Sequence, residues 1–399
     1  MNNRIPVILI CAHIFSMLGF STYPALLPNL QAEWGLSNSE AGIVGSLFFT
    51  GYISTVSFWT ALTDRVDGRH VYIAGSLLAL AACAGFGIAA HGFLSACVLQ
   101  AILGAGIAGT YMPGLRLLSD AAHGPSQSRY IAFYTAFFGV GAALSFALAG
   151  WIQPVAGWRQ AFIWSAGGSL VSGAMVFFSL APKKPAGTTH SILFPVAAWR
   201  KVIANRAATG YILGYCAHCL ELFGSRGWMV AFLAFVGGLG ASGAAPWSAT
   251  SIAAFVNLAA VPASILGNEM AMRLGRRRWI LIVMSSSGLV GVAMAFSAPL
   301  QWAIVVPILV VYAMLVMAES ATLTAGLIAA APPELRGAAM GLYSLVGFAG
   351  GMLGPAVFGA ALDLAGGQAR VAAWACGYAA IGAACFLAPL AVRLFGAPR

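Results

Sequence analysis

Three ionisable side chains, His218, Glu221 and Arg226, lie within the predominantly apolar stretch 207–236. His218 and Glu221 are three residues apart, so on a helix they share a face and can exchange a hydrogen bond or a proton. Since an imidazole and a desolvated carboxyl can both change protonation near neutral pH, the pair is suited to proton coupling. Arg226 points roughly 140° away from Glu221 on an ideal helix, which leaves its guanidinium to bind a carboxylate, phosphate or other oxyanion.

The same segment contains Cys216 and Cys219 beside His218, and the earlier segment 11–13 contains Cys11 and His13. Thiolate and imidazole are ligands for Cu(I) or Zn(II), so transition-metal (Cu/Zn) transport is one alternative. For His218 and Glu221, the alternative to proton coupling is a structural cluster whose polar groups bond to neighbouring helices, because unsatisfied polar groups are costly in lipid. We predict no cofactor and no resident metal.

The composition places these side chains in a lipid bilayer. Of 399 residues, 60% are hydrophobic and 8% are charged, whereas a soluble domain has about 25% charged residues. A spanning helix needs about 20 mainly apolar residues, and such runs are too continuous for barrel strands. The predicted fold class is therefore an all-α polytopic membrane protein. The twelve predicted spans are 5–29, 39–62, 71–90, 93–119, 130–152, 159–181, 207–236, 248–272, 278–298, 301–331, 337–362 and 371–395.

Basic residues indicate the orientation of the chain. If the N-terminus is cytoplasmic, the loops on the opposite side contain only Arg159 and Arg370 as basic residues. This bias predicts that both termini are cytoplasmic. It also accounts for the net charge of +10, so nucleic acid need not be invoked as a partner. The apolar run of the first span continues past Gly19, and we interpret it as a retained helix rather than a signal peptide.

The chain consists of two similar halves. CAHIFSMLGFSTY (11–23) aligns with CAHCLELFGSRGW (216–228), and TDRVDGRH (63–70) aligns with AMRLGRRR (271–278) at nearly the same offset. A parallel repeat of this kind places a pseudo-twofold axis along the membrane normal. The predicted domains are an N-terminal six-helix bundle over 1–181, a cytoplasmic linker over 182–206 and a C-terminal six-helix bundle over 207–399.

With these motifs, the chain resembles the major facilitator superfamily of secondary transporters over essentially its whole length. TALTDRVDGRH (60–70) is similar to the family's loop motif between helices two and three, although Thr60 replaces the first glycine and Asp67 is one residue too many. QAILGAGIAG (100–109) is similar to the fourth-helix motif, with Gln100 in place of the usual arginine. The resemblance implies alternating access by two bundles, with helices 1, 4, 7 and 10 lining a central cavity.

Apart from residues at the helix ends, the ionisable residues predicted within the membrane fall on these four helices alone. They are His13, Arg116, His218, Glu221, Arg226 and Glu319. A charge at the bilayer centre costs at least ~2.5–3.5 kcal/mol, so such residues usually face a wet cavity or each other. We predict Glu319 either as a second proton site or as the counter-ion of Arg226. In the second case the Arg226–Glu319 pair would close the outer side.

A further group of charges is predicted at the cytoplasmic ends of helices two to four. Asp64, Arg65 and Asp120 resemble the charge cluster with which the family closes one conformation, and Arg69 belongs to the same loop motif. Arg116 lies near the cytoplasmic end of helix four. It can pair with Asp120 four residues later, or its side chain can reach the lipid headgroups.

Three aromatic residues complete the predicted substrate-binding set with Arg226 and His13, namely Tyr23, Tyr111 and Trp228. Tyrosine and tryptophan rings can stack on a substrate, but in membrane helices they more often pack helices or anchor interfaces. Both interpretations stay open. Tyr23 and Trp228 occupy equivalent positions of the repeat.

The sequence predicts a monomeric secondary active transporter in the bacterial inner membrane that moves a small polar, anionic organic solute with protons as the coupling ion. No Walker motif is present, so nothing in the sequence supports transport driven by ATP. Two other classes stay open. A polytopic membrane enzyme would need a nucleophile or metal beside His218 and Glu221, and a receptor on the same fold would bind without transport.

Overall fold

The computed structural model describes residues 4–122, 125–183, 195–240 and 243–395, and the regular elements in this part of the chain are all helices. Ten helical segments there are long and apolar enough to cross a membrane. One of them, Arg129–Ser179, contains two predicted spans, and the apolar run Val371–Leu387 adds a shorter helix. The predicted all-α, multi-pass membrane fold is confirmed. Residues 184–194 of the predicted linker, 182–206, lie outside the described residues.

The described residues of the N-terminal half form six α-helices. They are α1 (Arg4–Ser16), α2 (Thr22–Trp34), α3 (Asn38–Leu62), α4 (Gly68–Ala89), α5 (Phe93–Ala121) and α6 (Pro125–Ser179). Gly157 interrupts α6 with φ of 82°, a conformation that glycine adopts readily because it has no Cβ. The fifth and sixth predicted spans therefore lie on either side of Gly157.

The first predicted span is a broken helix. A 3-10 turn, Met17–Gly19, separates α1 from α2. The Ser145 hydroxyl donates to the carbonyl oxygen of Leu18 at 2.6 Å and accepts from the backbone N–H of Ser21 at 2.9 Å. Thr22 donates to the Ser165 hydroxyl at 2.9 Å. Side chains of α6 thus satisfy backbone groups that the break leaves without helical partners.

Helix α5 packs against α3 at backbone distance. A Cβ added at Gly104 would lie 1.8 Å from the carbonyl oxygen of Phe48, and one added at Gly51 would lie 1.8 Å from that of Ala101. Neither position has room for a methyl group. Small residues at such crossings let two helix backbones touch, which is the usual source of helix association in lipid.

The described residues of the C-terminal half form a short helix followed by seven longer ones. They are α7 (Val196–Ala204), α8 (Arg206–Gly238), α9 (Ala249–Leu274), α10 (Arg276–Phe296), α11 (Trp302–Ala318), α12 (Ser320–Ala330), α13 (Arg336–Leu364) and α14 (Val371–Phe395). The tenth predicted span, 301–331, is therefore interrupted at Glu319, between α11 and α12.

Contacts divide the chain into two compact units. The first consists of Met1–Asn29 and Leu47–Phe194, and the second of Leu30–Ser46 and Pro195–Arg399. Residues 30–46, which the predicted boundaries place in the N-terminal bundle, group with the second unit. There the Asp363 carboxylate accepts hydrogen bonds from the side-chain amide of Asn38 and from the backbone N–H of Ser39, both at 2.7 Å. This carboxylate satisfies N–H groups at the start of α3.

Candidate functional site

Glu221 is the centre of a buried polar cluster in the second unit. Its side chain on α8 is inaccessible to solvent. Its carboxylate accepts hydrogen bonds from the hydroxyl of Ser287 at 2.8 Å, from the hydroxyl of Tyr312 at 3.2 Å and from the thiol of Cys385 at 3.0 Å. These donors come from α10, α11 and α14. Four helices therefore fix the position of this carboxyl group.

His218 pairs with Glu319, not with Glu221. Its Nδ1 lies 3.0 Å from Oε1 of Glu319, and both side chains are at most 1% exposed. The hydrogen bond that the spacing of His218 and Glu221 permits is not the one that His218 forms. The spacing on α8 is as predicted, but the carboxylate of Glu221 is occupied by donors from other helices, and Glu319 reaches the imidazole instead.

The break between α11 and α12 places Glu319 in this position. Trp279 donates its indole N–H to the carbonyl oxygen of Ala318 at 3.1 Å. A Cβ added at Gly267 would lie 1.9 Å from the same oxygen, so α9 touches α11 backbone to backbone. The second carboxylate oxygen of Glu319, Oε2, is buried and has no hydrogen-bond partner. The interrupted helix thus presents a carboxyl group that is satisfied on one side only.

Arg226 is buried one and a half turns beyond Glu221 on α8, with 6% of its surface exposed. Its guanidinium donates to the sulfur of Met317 at 3.7 Å. Within the described chain, it lies beyond ion-pair distance of every carboxylate. The alternative in which Glu319 is its counter-ion is not realised, because Glu319 pairs with His218. A buried guanidinium bonded only to a thioether retains most of its donors for another acceptor.

His13 lies in an aromatic cluster of the first unit. Its ring stacks on Tyr134 with centroids 4.2 Å apart and lies 5.2 Å from the ring of Tyr111. The side chain is completely buried, and neither ring nitrogen has a hydrogen-bond partner. Tyr134 donates to the backbone carbonyl of Tyr111 at 3.0 Å, so its hydroxyl is already bonded. His13 and Tyr111 are therefore neighbours, as the predicted substrate set requires.

Tyr23 and Trp228 are packing residues in this structure. Trp228 is fully buried, its indole N–H donates to the carbonyl oxygen of Pro355 at 3.0 Å, and its ring stacks on Phe358 with centroids 5.6 Å apart. Tyr23 is 3% exposed beside the ring of Phe86. The alternative of helix packing accounts for both residues, and we leave them out of the proposed site.

The predicted cytoplasmic charge cluster is only partly assembled. Arg116 forms an ion pair with Asp64 and donates to the hydroxyl of Thr63 at 2.6 Å. The pair that the spacing permits between Arg116 and Asp120 is not formed, since Arg116 bonds to Asp64 and Asp120 lies 4.0 Å from the ammonium group of Lys183. An i, i+4 spacing permits an ion pair but does not require it, and here the partner of Arg116 is Asp64, in the turn that follows α3.

The remaining two residues of that cluster have different surroundings. Arg65 is exposed. Arg69 donates to the carbonyl oxygen of Leu180 at 2.9 Å and lies over the ring of Phe177, so it joins the start of α4 to the end of α6. Asp67, the extra residue of the loop motif, caps α4 by accepting from the backbone N–H of Arg69. The loop motif therefore has a structural role here beyond any role in gating.

The Cys-x-His motifs do not form a group of metal ligands. In the described chain, the His/Cys/Asp/Glu side chains whose ligand atoms come close enough to hold an ion are Glu221, Glu319 and Cys385, with all these atoms within 4.8 Å of one another. Cys216 and Cys219 are not among them, and His218 bonds to Glu319. The alternative of a metal site at these motifs therefore has no group of neighbouring ligand atoms behind it in the described residues.

The sequence of the chain matches that of a large protein family. The profile of the Major Facilitator Superfamily matches residues 9–355. One similar protein is named "Probable 4-methylmuconolactone transporter", from Cupriavidus pinatubonensis, and is 26% identical over 148 residues, which is 35% of this chain and 33% of that protein. A Bacillus subtilis protein with the provisional name niacin/nicotinamide transporter NiaP is 23% identical over 153 residues, or 38% of each chain. The chain thus matches only about a third of the length of these relatives.

A solved structure extends the similarity to the whole fold. The crystal structure of a mutant form of the nucleoside transporter NupG superimposes with a TM-score of 0.77 at 14% sequence identity. The match covers 98% of this chain and 100% of the other. At this identity the similarity describes the arrangement of helices and not the ligand.

Proposed function

The chain belongs to the Major Facilitator Superfamily, and from this premise we propose that it is a secondary active transporter of a small polar organic anion. It works by alternating access in the bacterial inner membrane, with protons as the coupling ion. The relatives named for 4-methylmuconolactone and for niacin or nicotinamide support a small organic solute. The two alternatives of a membrane enzyme and a receptor have no comparable support.

The observation that carries the anion assignment is the buried, acid-free environment of Arg226. Burying a guanidinium without a counter-charge is costly, and the cost is recovered when an anion binds. In the described chain its guanidinium donates to the thioether sulfur of Met317, at 3.7 Å. A guanidinium also binds the two oxygens of a carboxylate with parallel hydrogen bonds. A carboxylate is therefore the proposed recognition element of the substrate.

The proposed coupling groups are Glu221, His218 and Glu319. All three are buried in the second unit, and His218 and Glu319 share a hydrogen bond. Two carboxyl groups and an imidazole that form no ion pair with an arginine can hold protons, and the protons can leave when water reaches them. In the first unit, His13 and Tyr111 are proposed substrate contacts, because both nitrogens of His13 lack a protein partner. The Arg116–Asp64 pair is the proposed cytoplasmic gate.

The anion assignment is tested by thermal unfolding of purified protein with a ligand panel of carboxylates, phosphates, sugars, organic cations and Zn²⁺. A ligand at 100 times its Kd stabilises the protein by about 2.7 kcal/mol. We expect wild type to respond to one or more carboxylates. Arg226→Ala should lose that response completely, and Arg226→Lys should lose most of it because the ammonium group cannot bind bidentately.

The matched control is Arg273→Ala, which removes an exposed arginine of the same unit. It should keep the full carboxylate response. The assignment fails if Arg226→Ala responds to carboxylates as wild type does, or if only cations or sugars stabilise the wild-type protein. Unfolding temperatures without ligand separate loss of binding from loss of folding.

A further inference from the structure

Three buried side chains of the second unit are arranged as metal ligands. The carboxylates of Glu221 and Glu319 and the thiol of Cys385 offer atoms that all lie within 4.8 Å of one another. They come from α8, the α11–α12 junction and α14, so the grouping is created by the fold and not by neighbouring positions in the sequence. Metal–ligand bonds are about 2.0–2.6 Å long, so the ligands of one ion lie within about 4–5 Å of one another.

An unsatisfied oxygen indicates that this grouping has a ligand. Oε2 of Glu319 is buried without a hydrogen-bond partner, while Oε1 is held by His218 at 3.0 Å. A buried carboxylate oxygen is costly to leave unpaired. An imidazole that holds one oxygen of a carboxylate and leaves the other free is also typical of the groups that orient metal ligands. Arg226 does not fill this role, because it forms no ion pair with either glutamate.

The donor set indicates the kind of ion. Carboxylate oxygens bind divalent cations, and a sulfur ligand favours zinc-like transition metals over Na⁺, Mg²⁺ and Ca²⁺, which prefer oxygen. We propose that Glu221, Glu319 and Cys385 form a binding site for a divalent transition-metal ion such as Zn²⁺. On binding, the Cys385 thiol releases its proton to solvent and its sulfur bonds to the metal. The hydrogen bonds from Ser287 and Tyr312 keep Glu221 in place.

This metal site is additional to the proposed transport of an anion, and an experiment can refute either proposal without refuting the other. The metal is bound by Glu221, Glu319 and Cys385, whereas the anion is bound by Arg226. Metal ions and protons would compete for the same carboxylates, so metal affinity should fall as the pH is lowered.

The test uses purified, tag-free protein in detergent with Cd²⁺ and Zn²⁺ as probes. A cadmium–thiolate bond gives an ultraviolet charge-transfer absorption that carboxylates and imidazoles do not give. We expect wild type to develop this absorption at one equivalent of Cd²⁺ and to unfold at a higher temperature with Zn²⁺. Cys385→Ser should lose the absorption, and Glu319→Gln should bind Zn²⁺ at least tenfold more weakly.

Cys376→Ser is the matched control, because Cys376 is an exposed cysteine on the same helix, α14. It should keep both responses. Equal cadmium absorption in wild type and Cys385→Ser would overturn the site, and so would stabilisation by Na⁺ with no response to Zn²⁺ or Cd²⁺. If Cys385→Ser does not fold, unchanged zinc affinity in Glu319→Gln would overturn the site in the same way.

Discussion

Glu221→Gln is expected to abolish accumulation driven by a pH gradient while leaving exchange of substrate intact. Glutamine has the shape of the carboxyl group, and its carbonyl oxygen can accept the two hydrogen bonds that Ser287 and Cys385 donate to one carboxylate oxygen. Its NH2 group can donate to the hydroxyl oxygen of Tyr312, but the side chain cannot take up and release a proton. A gradient of one pH unit is worth about 1.4 kcal/mol per proton, which supports roughly tenfold accumulation. The variant should reduce this ratio to about one.

The measurement uses proteoliposomes and a carboxylate identified by the thermal panel. Accumulation under an imposed pH gradient and counterflow without a gradient are measured side by side. Ser287→Ala is the matched control, since it removes one donor to Glu221 and keeps the carboxyl group, so it should retain coupling. Tenfold accumulation by Glu221→Gln would show that the coupling proton is carried elsewhere. Loss of counterflow as well would show that Glu221 is needed for substrate binding or folding.

Gly104→Val is expected to cause a large loss of stability in the first unit. A Cβ at this position would meet the carbonyl oxygen of Phe48 at 1.8 Å, and that oxygen belongs to the backbone of α3 and cannot rotate away. The two helices must separate, which removes their mutual packing. Overpacking of a well-packed interface usually costs about 1–3 kcal/mol, and we expect at least the upper end of this range.

The measurement is thermal unfolding in detergent, followed by tryptophan fluorescence and by size-exclusion chromatography. A change of 1 kcal/mol in stability corresponds to a shift of about 2–4 °C for a domain of 150–250 residues. Gly167→Val is the control, because a Cβ at Gly167 would have no heavy atom within 4 Å. Equal unfolding temperatures for the two variants would mean that α3 and α5 are not in backbone contact in the membrane protein.

The positions of the spans could be predicted because lipid offers no hydrogen-bond partners to the backbone. An apolar run of about 20 residues must form a helix to satisfy its own N–H and C=O groups, and α9 (Ala249–Leu274) closely matches the predicted span 248–272. The breaks at Met17–Gly19 and at Glu319 could not be predicted in this way. Their backbone groups are satisfied by residues of other helices, and the apolar pattern continues through both breaks.

The charged members of the site could be predicted because placing a charge in lipid costs free energy. A charged residue within an apolar span therefore indicates a buried polar site. Their partners could not. Ser287, Tyr312 and Cys385 are neutral residues that a membrane helix tolerates anywhere, so nothing in the sequence marks them as neighbours of Glu221. The spacing of His218 and Glu221 placed the two on one face of α8, but the identity of the facing helices decided the hydrogen bonds.

The two metal hypotheses show the same limit. The Cys-x-His motifs place thiols and imidazoles close together along the sequence, which is informative for small zinc domains whose ligands lie on short loops. In a helical membrane protein the ligands of one ion are better sought on different helices at the same depth. Cys385 and Glu221 are 164 residues apart in sequence and 3.0 Å apart in space.

The broken first helix has a consequence for how the protein is made. The polar groups of Ser21 and Thr22 are satisfied by Ser145 and Ser165, which follow 124 and 143 residues later. At about 5–20 residues per second, the ribosome delivers these partners roughly 6–30 s after the first helix. During that interval the break has no native partner. We expect the first helix to stay beside the translocon or another protein during that interval. Release of the chain before residue 165 should leave a product that membrane quality control degrades.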